Sequence, residues 1–551
     1  MIARLVTYSD IFNDEIENSS SLVENIPSYY ILSIFSHING YLYHSNSLKK
    51  ELFLFKKLIE QLDNNQIDEI LYPLKVLIDE NGQNLQLFPL YSILILIEKE
   101  TLNYRTIEND YTPSAEDELN ILKYILLNNN EIDKQHGKIK GNSLREFIWP
   151  AALPQYEFNS TKSFISNLKI AIRLFDYFNH NYETELVNYL ENNNALSSKD
   201  FLKKIADLYF NGYKKDEHSF NSRFTSDLIA ANPILTRFCL DFENFDVEAY
   251  KRKGKHKYFK GLRETPILKH ENGHFNIINW NFIVDKFYKG LIFDFYHSTN
   301  LQETRNLSFE DYKSRLGESF SEKQFFKEIL TEIYSNYDDV VLLTDEDSEN
   351  YNFDFYLRID NKIIIIEFKD YLMPDYIKNN SFEKIKKYID SKFIKTEDNN
   401  KAIIQLKNQI LNINENPNIY EPDLDRIKNR LFIYPVTVYT DWSFSVAGIN
   451  NYLNEEFFKI MNQYKTDFFI IRSFTMLSLD LFMENFDYLK ENKLSLINLL
   501  ESYYHIREFN KGLCLEHQLR TKLTSKRSAE NTLISEIKEY FFGEEINEEN
   551  N

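Results

Sequence analysis

One stretch, residues 352–370, constrains the fold more than any other part of this 551-residue chain. Its first half alternates apolar side chains with others at a period of two, which predicts a strand whose one face is formed by Phe353, Phe355, Leu357 and Ile359. Residues 360–361, Asp-Asn, tolerate turn geometry, and residues 363–366 are four consecutive isoleucines. The stretch therefore predicts a β-hairpin in the core of a sheet.

The end of the second strand is polar. Glu367 and Lys369 fall on one face of that strand, Phe368 falls on the other, and Asp354 enters from the partner strand. Two carboxylates and an amine are therefore expected at one end of the hairpin. The alternative interpretation is a solvated strand edge, where a Glu and a Lys two residues apart are ordinary neighbours and Asp354 only begins a strand.

This set of groups suits phosphodiester hydrolysis. Mg²⁺ or Mn²⁺ prefers hard oxygen ligands and needs only one or two protein carboxylates beside waters and phosphate oxygens, which Asp354 and Glu367 would supply. Lys369, on the same face as Glu367, would orient the attacking water and stabilise developing negative charge.

The order of Asp354 and the tripeptide Glu367-Phe368-Lys369 resembles the PD-(D/E)XK nuclease superfamily, which has the restriction-endonuclease-like fold. The similarity covers roughly residues 318–445, about a quarter of the chain. It implies that Asp354 and Glu367 are metal ligands, that the backbone carbonyl of Phe368 is a further ligand, and that Lys369 is the catalytic lysine.

Two flanking helices extend the resemblance, and one residue departs from it. Glu322 resembles the acidic residue that many members bring to the metal from the preceding helix, although Glu328 and Glu332 lie on the same predicted helix and remain alternatives. Gln405, in the following helix, resembles the glutamine motif and would join the catalytic residues. Phe353 stands where the name of the family places proline.

A local basic run contrasts with a chain whose formal net charge is −20. A net charge of that sign repels a polyanion, so nucleic acid would have to bind a local surface. The run supplies seven candidate nucleic-acid-binding residues, which are Lys251, Arg252, Lys253, Lys255, Lys257, Lys260 and Arg263. Aromatic rings interleaved with them could stack on bases, and these are Tyr250, His256, Tyr258 and Phe259. We expect a nucleic-acid partner, with DNA favoured over RNA; the alternative is a solvated loop or a charged helix end.

The overall pattern predicts a multidomain α+β protein in four segments. Residues 1–215 are expected to form a helical region, and residues 216–315 a basic segment with a β-hairpin and a helix. Residues 316–475 would form the nuclease-like domain, in which helices flank a small mixed sheet, and residues 476–551 would form helices and an acidic tail.

Several local elements follow from the same patterns. A hairpin is predicted around the Asn-Gly pair at 272–273, and one helix from Trp280 to Tyr296. A helix capped by Ser319 or Ser321 would follow a polar connector. Helical blocks are predicted again from Leu477.

Cysteine content and hydropathy indicate the compartment. Cys239 and Cys514 are the two cysteines, far apart and without metal-ligand spacing, so neither a zinc site nor a disulfide framework is predicted. The apolar stretch 93–97 is too short to span a bilayer. We therefore expect a cytoplasmic protein with no membrane partner.

The function predicted from sequence is a magnesium-dependent endonuclease, and by resemblance a role in prokaryotic antiviral defence. The helical region at 1–215 would then sense, bind a protein partner or restrain the nuclease. Two alternatives come from another class. One is a catalytically inactive nuclease-fold scaffold that binds nucleic acid or protein, and the other is a helical interaction protein whose central hairpin is only structural.

Overall fold

The computed structural model describes residues 4–506 and 531–542, except for 45–46, 83, 107–110, 160, 225, 231, 338, 348–352, 396–399, 423, 427–430 and 466–468. Cys514, the acidic tail after Phe542 and the residues directly before the hairpin lie outside the described residues. Among the described residues, no helix combines the length and the apolar character needed to cross a membrane.

The chain forms two compact units. The first contains Met1–Ile139 and Phe158–Thr299, and the second contains Lys140–Glu157 and Asn300–Asn551. The basic run and the 352–370 hairpin therefore belong to different units. The division into four segments stays a prediction.

Helices dominate the first unit, as the spacing of apolar residues predicts. They are α1 (Tyr8–Ile11), α2 (Ser28–Leu42), α3 (Leu48–Lys57), α4 (Asn64–Asn81), α5 (Leu90–Leu102) and α6 (Ala115–Gly137). Helix α7 (Leu144–Ala152) lies in the second unit. The first unit continues with α8 (Phe164–Asn181), α9 (Glu183–Asn192), α10 (Ser198–Gly212), α11 (Ser226–Ala230), α12 (Pro233–Arg237), α13 (Val247–Arg252), α14 (Lys260–Glu264), α15 (Trp280–Val284) and α16 (Lys289–Ser298).

The strands of the first unit are short. They are β1 (Arg4–Leu5), β2 (Leu85–Gln86), β3 (Tyr213–Lys214), β4 (Ser219–Phe220), β5 (Arg223–Phe224), β6 (Cys239–Asp241), β7 (Ile267–Lys269) and β8 (Phe275–Ile277). The last four strands form a sheet in the order β5-β8-β7-β6. Strands β7 and β8 pair antiparallel around Gly273, whose φ is +75°, so the hairpin predicted at the Asn-Gly pair is confirmed.

The second unit combines helices with one mixed sheet. Its further helices are α17 (Leu301–Thr304), α18 (Phe309–Arg315), a π-helix (Leu316–Phe326), α19 (Lys327–Tyr334), α20 (Asp375–Lys378), α21 (Phe382–Phe393), α22 (Ala402–Glu415), α23 (Ile449–Met461), α24 (Leu479–Glu484), α25 (Phe486–Lys490), α26 (Leu496–Ile506) and α27 (Asn531–Phe542). Its strands are β9 (Val340–Thr344), β10 (Phe355–Ile359), β11 (Lys362–Lys369), β12 (Leu431–Tyr439), β13 (Phe469–Ile471) and β14 (Thr475–Ser478).

The sheet of the second unit has the order β13-β12-β11-β10-β9, and β14 also pairs with β12. Strands β9, β10 and β11 are antiparallel, whereas β11 and β12 are parallel from Lys362↔Phe432 to Lys369↔Tyr439. Because parallel neighbours end at the same edge, the polar residues after β11 and β12 lie together. The molecule is thus an α+β protein with a mixed sheet flanked by helices.

Both faces of β11 are covered, which explains its nearly unbroken apolar sequence. Ile363 and Ile365 share a buried core with Ile403 and Leu406 of α22. On the other face the ring of Phe368 lies 5.0 Å from that of Phe326 in the π-helix. The hairpin turn at 360–361 is as predicted, since Asp360 adopts a φ of +54° between the paired ends of β10 and β11.

Five local predictions are wrong. Phe353 lies before β10 and packs with Tyr356 and Tyr420, so it does not share the face of Phe355, which contacts Phe326. The helix expected to begin at Ser319 or Ser321 has already begun at α18, where Ser308 accepts the hydrogen bond from the Asp311 amide at 3.1 Å. The polar connector predicted over residues 298–316 is also wrong, since Tyr312 and Leu316 are buried.

The other two corrections concern element boundaries. The helix predicted from Trp280 to Tyr296 is broken by a 3₁₀ turn and by the non-helical backbone of Tyr288, with φ −135° and ψ −81°. Leu477 begins no helix but lies in β14, where it pairs with Val438 of β12. In both places packing overrides the local pattern.

Candidate active site at the end of strand β11

The end of β11 fixes the first two residues of the site. Glu367 continues the row of Ile363 and Ile365 that faces α22, and its side chain is fully buried. The Lys369 Nζ lies 2.8 Å from the Glu367 Oε2. This close pair confirms that the two side chains share one face.

Asp354 reaches the same point from the partner strand. It directly precedes β10, and its Oδ2 accepts a hydrogen bond from the Phe368 amide at 2.6 Å. The same oxygen lies 3.5 Å from the Lys369 Nζ. The structure therefore brings Asp354, Glu367 and Lys369 together, and it places the Phe368 backbone beside Asp354.

Glu322 joins the group from the π-helix. Burial, followed by the charge of Asp354, raises the pKa of Glu322 to about 9, and Glu367 adds to the effect while Lys369 opposes it. Glu332, which the sequence left as an alternative, instead lies 4.0 Å from Lys490. A π-helix of this length is rare, and π-helical turns occur frequently at functional sites.

The electrostatics follow from three carboxylates around one ammonium group. Burial and the charge of Asp354 raise the pKa of Glu367 to about 8, although Lys369 and Gln409 lower it. Burial lowers the pKa of Lys369, but Glu367 and Asp354 outweigh burial and hold this pKa well above its ordinary value. The carboxylates repel one another while all of them attract the lysine, so without a cation the site favours protonation of Glu322 and Glu367.

Gln409 contacts Glu367, and this contact was not predicted from the sequence. Its Nε2 donates a hydrogen bond to the Glu367 Oε1, whereas the predicted Gln405 lies one turn earlier on α22 and is half-buried. Among the residues that the structure describes, Gln405 has no hydrogen bond to the site. Residues four apart share one helix face, so the sequence alone does not distinguish them. A catalytic role for Gln405 stays a prediction.

Thr437 is a second missed neighbour. It pairs in register with Glu367 across the parallel β11–β12 ladder, so both side chains lie on one face of the sheet. Its hydroxyl is buried and has no hydrogen-bond partner in the described part of the chain. A buried polar atom of this kind is expected to acquire a water or ligand partner.

Asp370 forms hydrogen bonds with side chains from α18, from the π-helix and from the segment after β12. Its carboxylate accepts from the Lys313 Nζ at 2.5 Å, from the Ser321 hydroxyl at 2.8 Å and from the Thr440 hydroxyl at 2.5 Å. A Cβ at Gly317 would lie 3.4 Å from the Asp370 Cβ, so the π-helix passes close to this residue. Because Ser321 precedes Glu322, Asp370 fixes the helix that carries Glu322.

The donor set fits a hard divalent cation in part. Asp354 and Glu367 offer carboxylate oxygens whose mutual repulsion a cation would relieve, and the unpartnered Thr437 hydroxyl is suited to a bound water. Among the described residues, however, no group of three or more His, Cys, Asp or Glu side chains is arranged to hold a metal ion. The arrangement suits a cation that takes its remaining ligands from water and substrate.

The basic run lies in the first unit, on α13, a 3₁₀ turn and α14. Five of its seven cationic residues are exposed, which are Lys251, Arg252, Lys253, Lys257 and Lys260. Lys255 is paired with Glu264, and the guanidinium carbon of Arg263 lies 5.0 Å from the centre of the Phe158 ring.

Two of the rings expected to stack on bases are buried. Tyr250 donates to Glu98 at 3.4 Å, and Phe259 packs edge-on against Phe158. Both belong to the apolar core of the first unit, so the prediction that they stack on bases is wrong. Tyr258 remains 42% exposed.

Cys239 has the surroundings expected of an inert small residue. Its thiol is half-buried and lies 3.4 Å from the Leu235 carbonyl oxygen. Burial, with the charge of Asp241, raises the pKa of the thiol to about 12. The thiolate needed for nucleophilic chemistry is therefore disfavoured.

Comparisons of this chain with protein-family models, with curated proteins and with solved structures found no significant match. The assignment of function therefore depends on the residues of this chain and their arrangement.

Proposed function

We propose that the protein is a metal-dependent nuclease that hydrolyses phosphodiester bonds, with its catalytic residues at the end of β11. The observation that supports the proposal most directly is the convergence of Asp354, Glu367 and Lys369, from two paired strands, within 3.5 Å of the lysine nitrogen. The mixed sheet flanked by helices agrees with the fold that the sequence resemblance implies. The family itself stays a prediction.

In this proposal Asp354, Glu367 and the Phe368 carbonyl would hold Mg²⁺ or Mn²⁺, and Glu322 would be a further ligand. Such a cation polarises a phosphate oxygen and lowers the pKa of its bound water. Lys369 stabilises negative charge on the phosphate, because two carboxylates hold its ammonium group in a fixed position. The neighbouring Glu367 and Asp354 keep that lysine protonated throughout the neutral range.

The exposed part of the basic run is the proposed nucleic-acid contact of the first unit. Lys251, Arg252 and Lys253 are exposed and consecutive, which suits binding to phosphates without base readout. DNA as the substrate is an expectation that cleavage assays can address, and a role in defence against foreign nucleic acid is an expectation from the family resemblance alone.

Cleavage of labelled DNA and RNA by the purified protein, with and without Mg²⁺ or Mn²⁺, tests the proposal. Glu367→Gln preserves side-chain shape and removes a charged ligand, and it should lower the cleavage rate by about 10²-fold or more. Glu157→Gln is the matched control, since Glu157 forms a buried ion pair with Lys378 at 3.1 Å in the same unit. The control should retain the wild-type rate at temperatures where it is folded.

The proposal fails if the wild-type protein cleaves neither substrate with either metal. It also fails if Glu367→Gln and Lys369→Ala cleave as fast as the wild type.

A further inference from the structure

Towards strand β9, the charged side chains around the candidate active site become more exposed. Glu367 is inaccessible, Asp354 is 18% exposed and Asp345, which follows β9, is 36% exposed. Strands β9 and β10 are antiparallel, and at this end of their ladder Thr344 pairs with Phe355. The positions next beyond that pair are Asp345 and Asp354, so the turn after β9 begins beside a candidate metal ligand.

This turn is short, acidic and held in shape. It is the 3₁₀ turn Asp345–Asp347, which we call the acidic turn. The Asp347 Oδ2 accepts hydrogen bonds from the backbone amide and the hydroxyl of Thr344, at 2.6 Å and 3.0 Å. Because Asp347 closes the turn onto the end of β9, the two acidic residues before it are presented together at a fixed place.

Two lysines of the helix that carries Glu322 bind the acidic turn. The Lys323 Nζ lies 3.5 Å from the Asp345 Oδ2, and the Lys327 Nζ lies 2.5 Å from the Glu346 Oε2. Lys323 directly follows Glu322 in the π-helix, and Lys327 begins α19 about one helical turn later. The two ammonium groups therefore form a short basic row next to the candidate metal site.

The ion pairs of the acidic turn are of a kind that a polyanion can replace. The four side chains are 32–48% exposed, so water and salt screen the pairs and each pair contributes little to stability. Lys323 also donates to Glu318, an exposed carboxylate, at 3.2 Å. Phosphate oxygens accept charge-assisted hydrogen bonds from the same ammonium groups, and neighbouring phosphates of one strand act together. A bound strand can therefore displace the carboxylates.

We propose that Lys323 and Lys327 bind backbone phosphates of a nucleic-acid strand, and that Asp345 and Glu346 occupy the two lysines until the strand displaces them. The inference rests on the proposed nuclease function, because that function places a strand at the candidate active site. A strand that extends from this site towards β9 meets the two lysines next, since they follow Glu322 along the helix. The acidic turn thus competes with the substrate, and the contact carries no base information.

A mutant cycle, measured by binding without metal, tests the proposal. Asp345→Asn/Glu346→Gln releases both lysines, Lys323→Ala/Lys327→Ala removes them, and the quadruple variant combines the changes. All four side chains are partly exposed, so the variants should keep the fold. Fluorescent single-stranded DNA and RNA oligonucleotides are titrated in EDTA and followed by anisotropy over a range of salt concentrations.

Release of the lysines should tighten oligonucleotide binding by about tenfold, because the strand no longer has to displace two carboxylates. The slope of log Kd against log salt should also become steeper by about 1. In the wild type the displaced carboxylates recapture some of the cations that the strand releases, and the variant lacks these carboxylates.

A matched control separates competition from a general loss of negative charge. Glu456→Gln/Glu491→Gln removes two carboxylates of the same unit that are also paired with lysines, namely with Lys459 at 2.6 Å and with Lys493. Because salt screens exposed charges that lie away from the strand, this variant should change the affinity by no more than about twofold.

The background without the two lysines gives the most direct comparison. There Asp345→Asn/Glu346→Gln should tighten binding by no more than the control does, because the carboxylates have no ammonium group left to occupy. Three results would overturn the proposal. They are no oligonucleotide binding by the wild type or by Asp345→Asn/Glu346→Gln, an equal gain in the control, and an undiminished gain in the background without Lys323 and Lys327.

Cleavage in Mg²⁺ or Mn²⁺ separates this inference from the function on which it rests. Release of the lysines should lower KM by about tenfold and keep kcat within about threefold, because the phosphate contact is the same in the ground and transition states. If binding changes as expected but the protein never cleaves, the nuclease function fails and the phosphate contact stands. If the wild type cleaves while Asp345→Asn/Glu346→Gln changes neither Kd nor KM, the phosphate contact fails and the nuclease function stands.

Discussion

The two charged regions of this protein differ in whether their charged side chains are exposed or buried. In the basic run of the first unit, Lys251, Arg252 and Lys253 are exposed to solvent, and Lys251 pairs only with its helix neighbour Glu248 at 3.3 Å. At the end of β11 the charges are buried, with Glu367 fully inaccessible and the Lys369 side chain 11% exposed. Exposed charges are screened by water and salt, whereas buried ones interact strongly and depend on their partners.

Because of this difference, substitutions in the two regions should affect different properties, namely nucleic-acid binding in one and stability in the other. Exposed lysines can be removed with little effect on stability, so their loss should appear in nucleic-acid affinity. Removal of one buried partner leaves another charge without compensation, so stability and chemistry change together. Experiments that measure both properties therefore test whether the two regions differ as the structure indicates.

Lys369→Met should have the largest effect on stability. It leaves Glu367 and Asp354 without their shared cation, and it should destabilise the second unit by about 3–5 kcal/mol at pH 8. Trp149 and Trp442 lie in this unit and Trp280 in the other, so fluorescence in a Trp280→Phe background follows the second unit during urea unfolding. The Trp280 indole N–H has no hydrogen-bond partner among the described residues, so Trp280→Phe removes no hydrogen bond, and the cavity that it leaves lies in the first unit.

Two further variants make this measurement decisive. Lys384→Met, which removes an exposed lysine of α21, should change stability by no more than about 0.5 kcal/mol. Glu367→Gln added to Lys369→Met should restore part of the loss, because one uncompensated carboxylate disappears. Equal losses for Lys369→Met and Lys384→Met would contradict the buried site.

Asp370→Asn should come next in size. The change removes the charge that pairs with Lys313 and weakens the contacts with Ser321 and Thr440, at a cost of about 3 kcal/mol. Since Asp370 fixes the π-helix that carries Glu322, cleavage should also require more Mg²⁺ for half-maximal rate. Unfolding midpoints and metal titrations measure the two effects. An unchanged metal requirement would show that Asp370 is only structural.

Stability of the second unit should fall as pH rises from about 5 to about 8. The folded-state pKa values of Glu367, about 8, and Glu322, about 9, lie above the ordinary value of 4.5, so the folded protein retains protons that the unfolded chain releases. Lys369 is protonated in both states over this range and Tyr371 is neutral, so neither cancels the trend. Each of the two groups should contribute about 2.5 kcal/mol between pH 6 and pH 8, so the loss should be about 5 kcal/mol.

The double variant Glu322→Gln/Glu367→Gln provides the check on this pH dependence. It should unfold at urea concentrations that vary less with pH than those of the wild type, measured by the same fluorescence. Divalent cations should stabilise the wild type more at pH 8 than at pH 6, because binding displaces protons. An equally steep pH dependence in the double variant would assign the effect to other groups.

The smallest effect on stability is expected in the basic run. Neutralising Lys251, Arg252, Lys253 and Lys255 together should reduce the salt slope of nucleic-acid binding by up to about 3, while each change alters stability by no more than about 0.5 kcal/mol. Four exposed lysines on separate elements of the same unit form the control, and these are Lys56, Lys75, Lys138 and Lys199. An identical salt dependence in both quadruple variants would remove the basic run as a specific contact.

Elements that depend only on residues close together in sequence were predicted correctly. The alternation before Asp360, the isoleucine run and the two turn residues predicted the β10–β11 hairpin, because a two-residue loop fixes the register of the strands that it joins. Alternation also put Glu367 and Lys369 on one face. Boundaries were predicted less well, since Ser319 and Ser321 offer the chemistry of a helix cap but lie inside a π-helix.

The contacts across elements needed the tertiary structure. Gln405 and Gln409 are equivalent by helical spacing, and only the packing of α22 against β11 brings Gln409 to Glu367. Likewise, Tyr250 and Phe259 look like stacking rings beside lysines until the core of the first unit buries them.

The sequence by itself determined the hairpin, the α+β character and the three residues that meet at the end of β11, because periodicity and turn chemistry act over a few residues. The tertiary structure decided which distant groups surround that trio. Glu322 and Gln409 arrive from a π-helix and from α22. Burial and the approach of distant charges set these energies, and neither is encoded in local spacing.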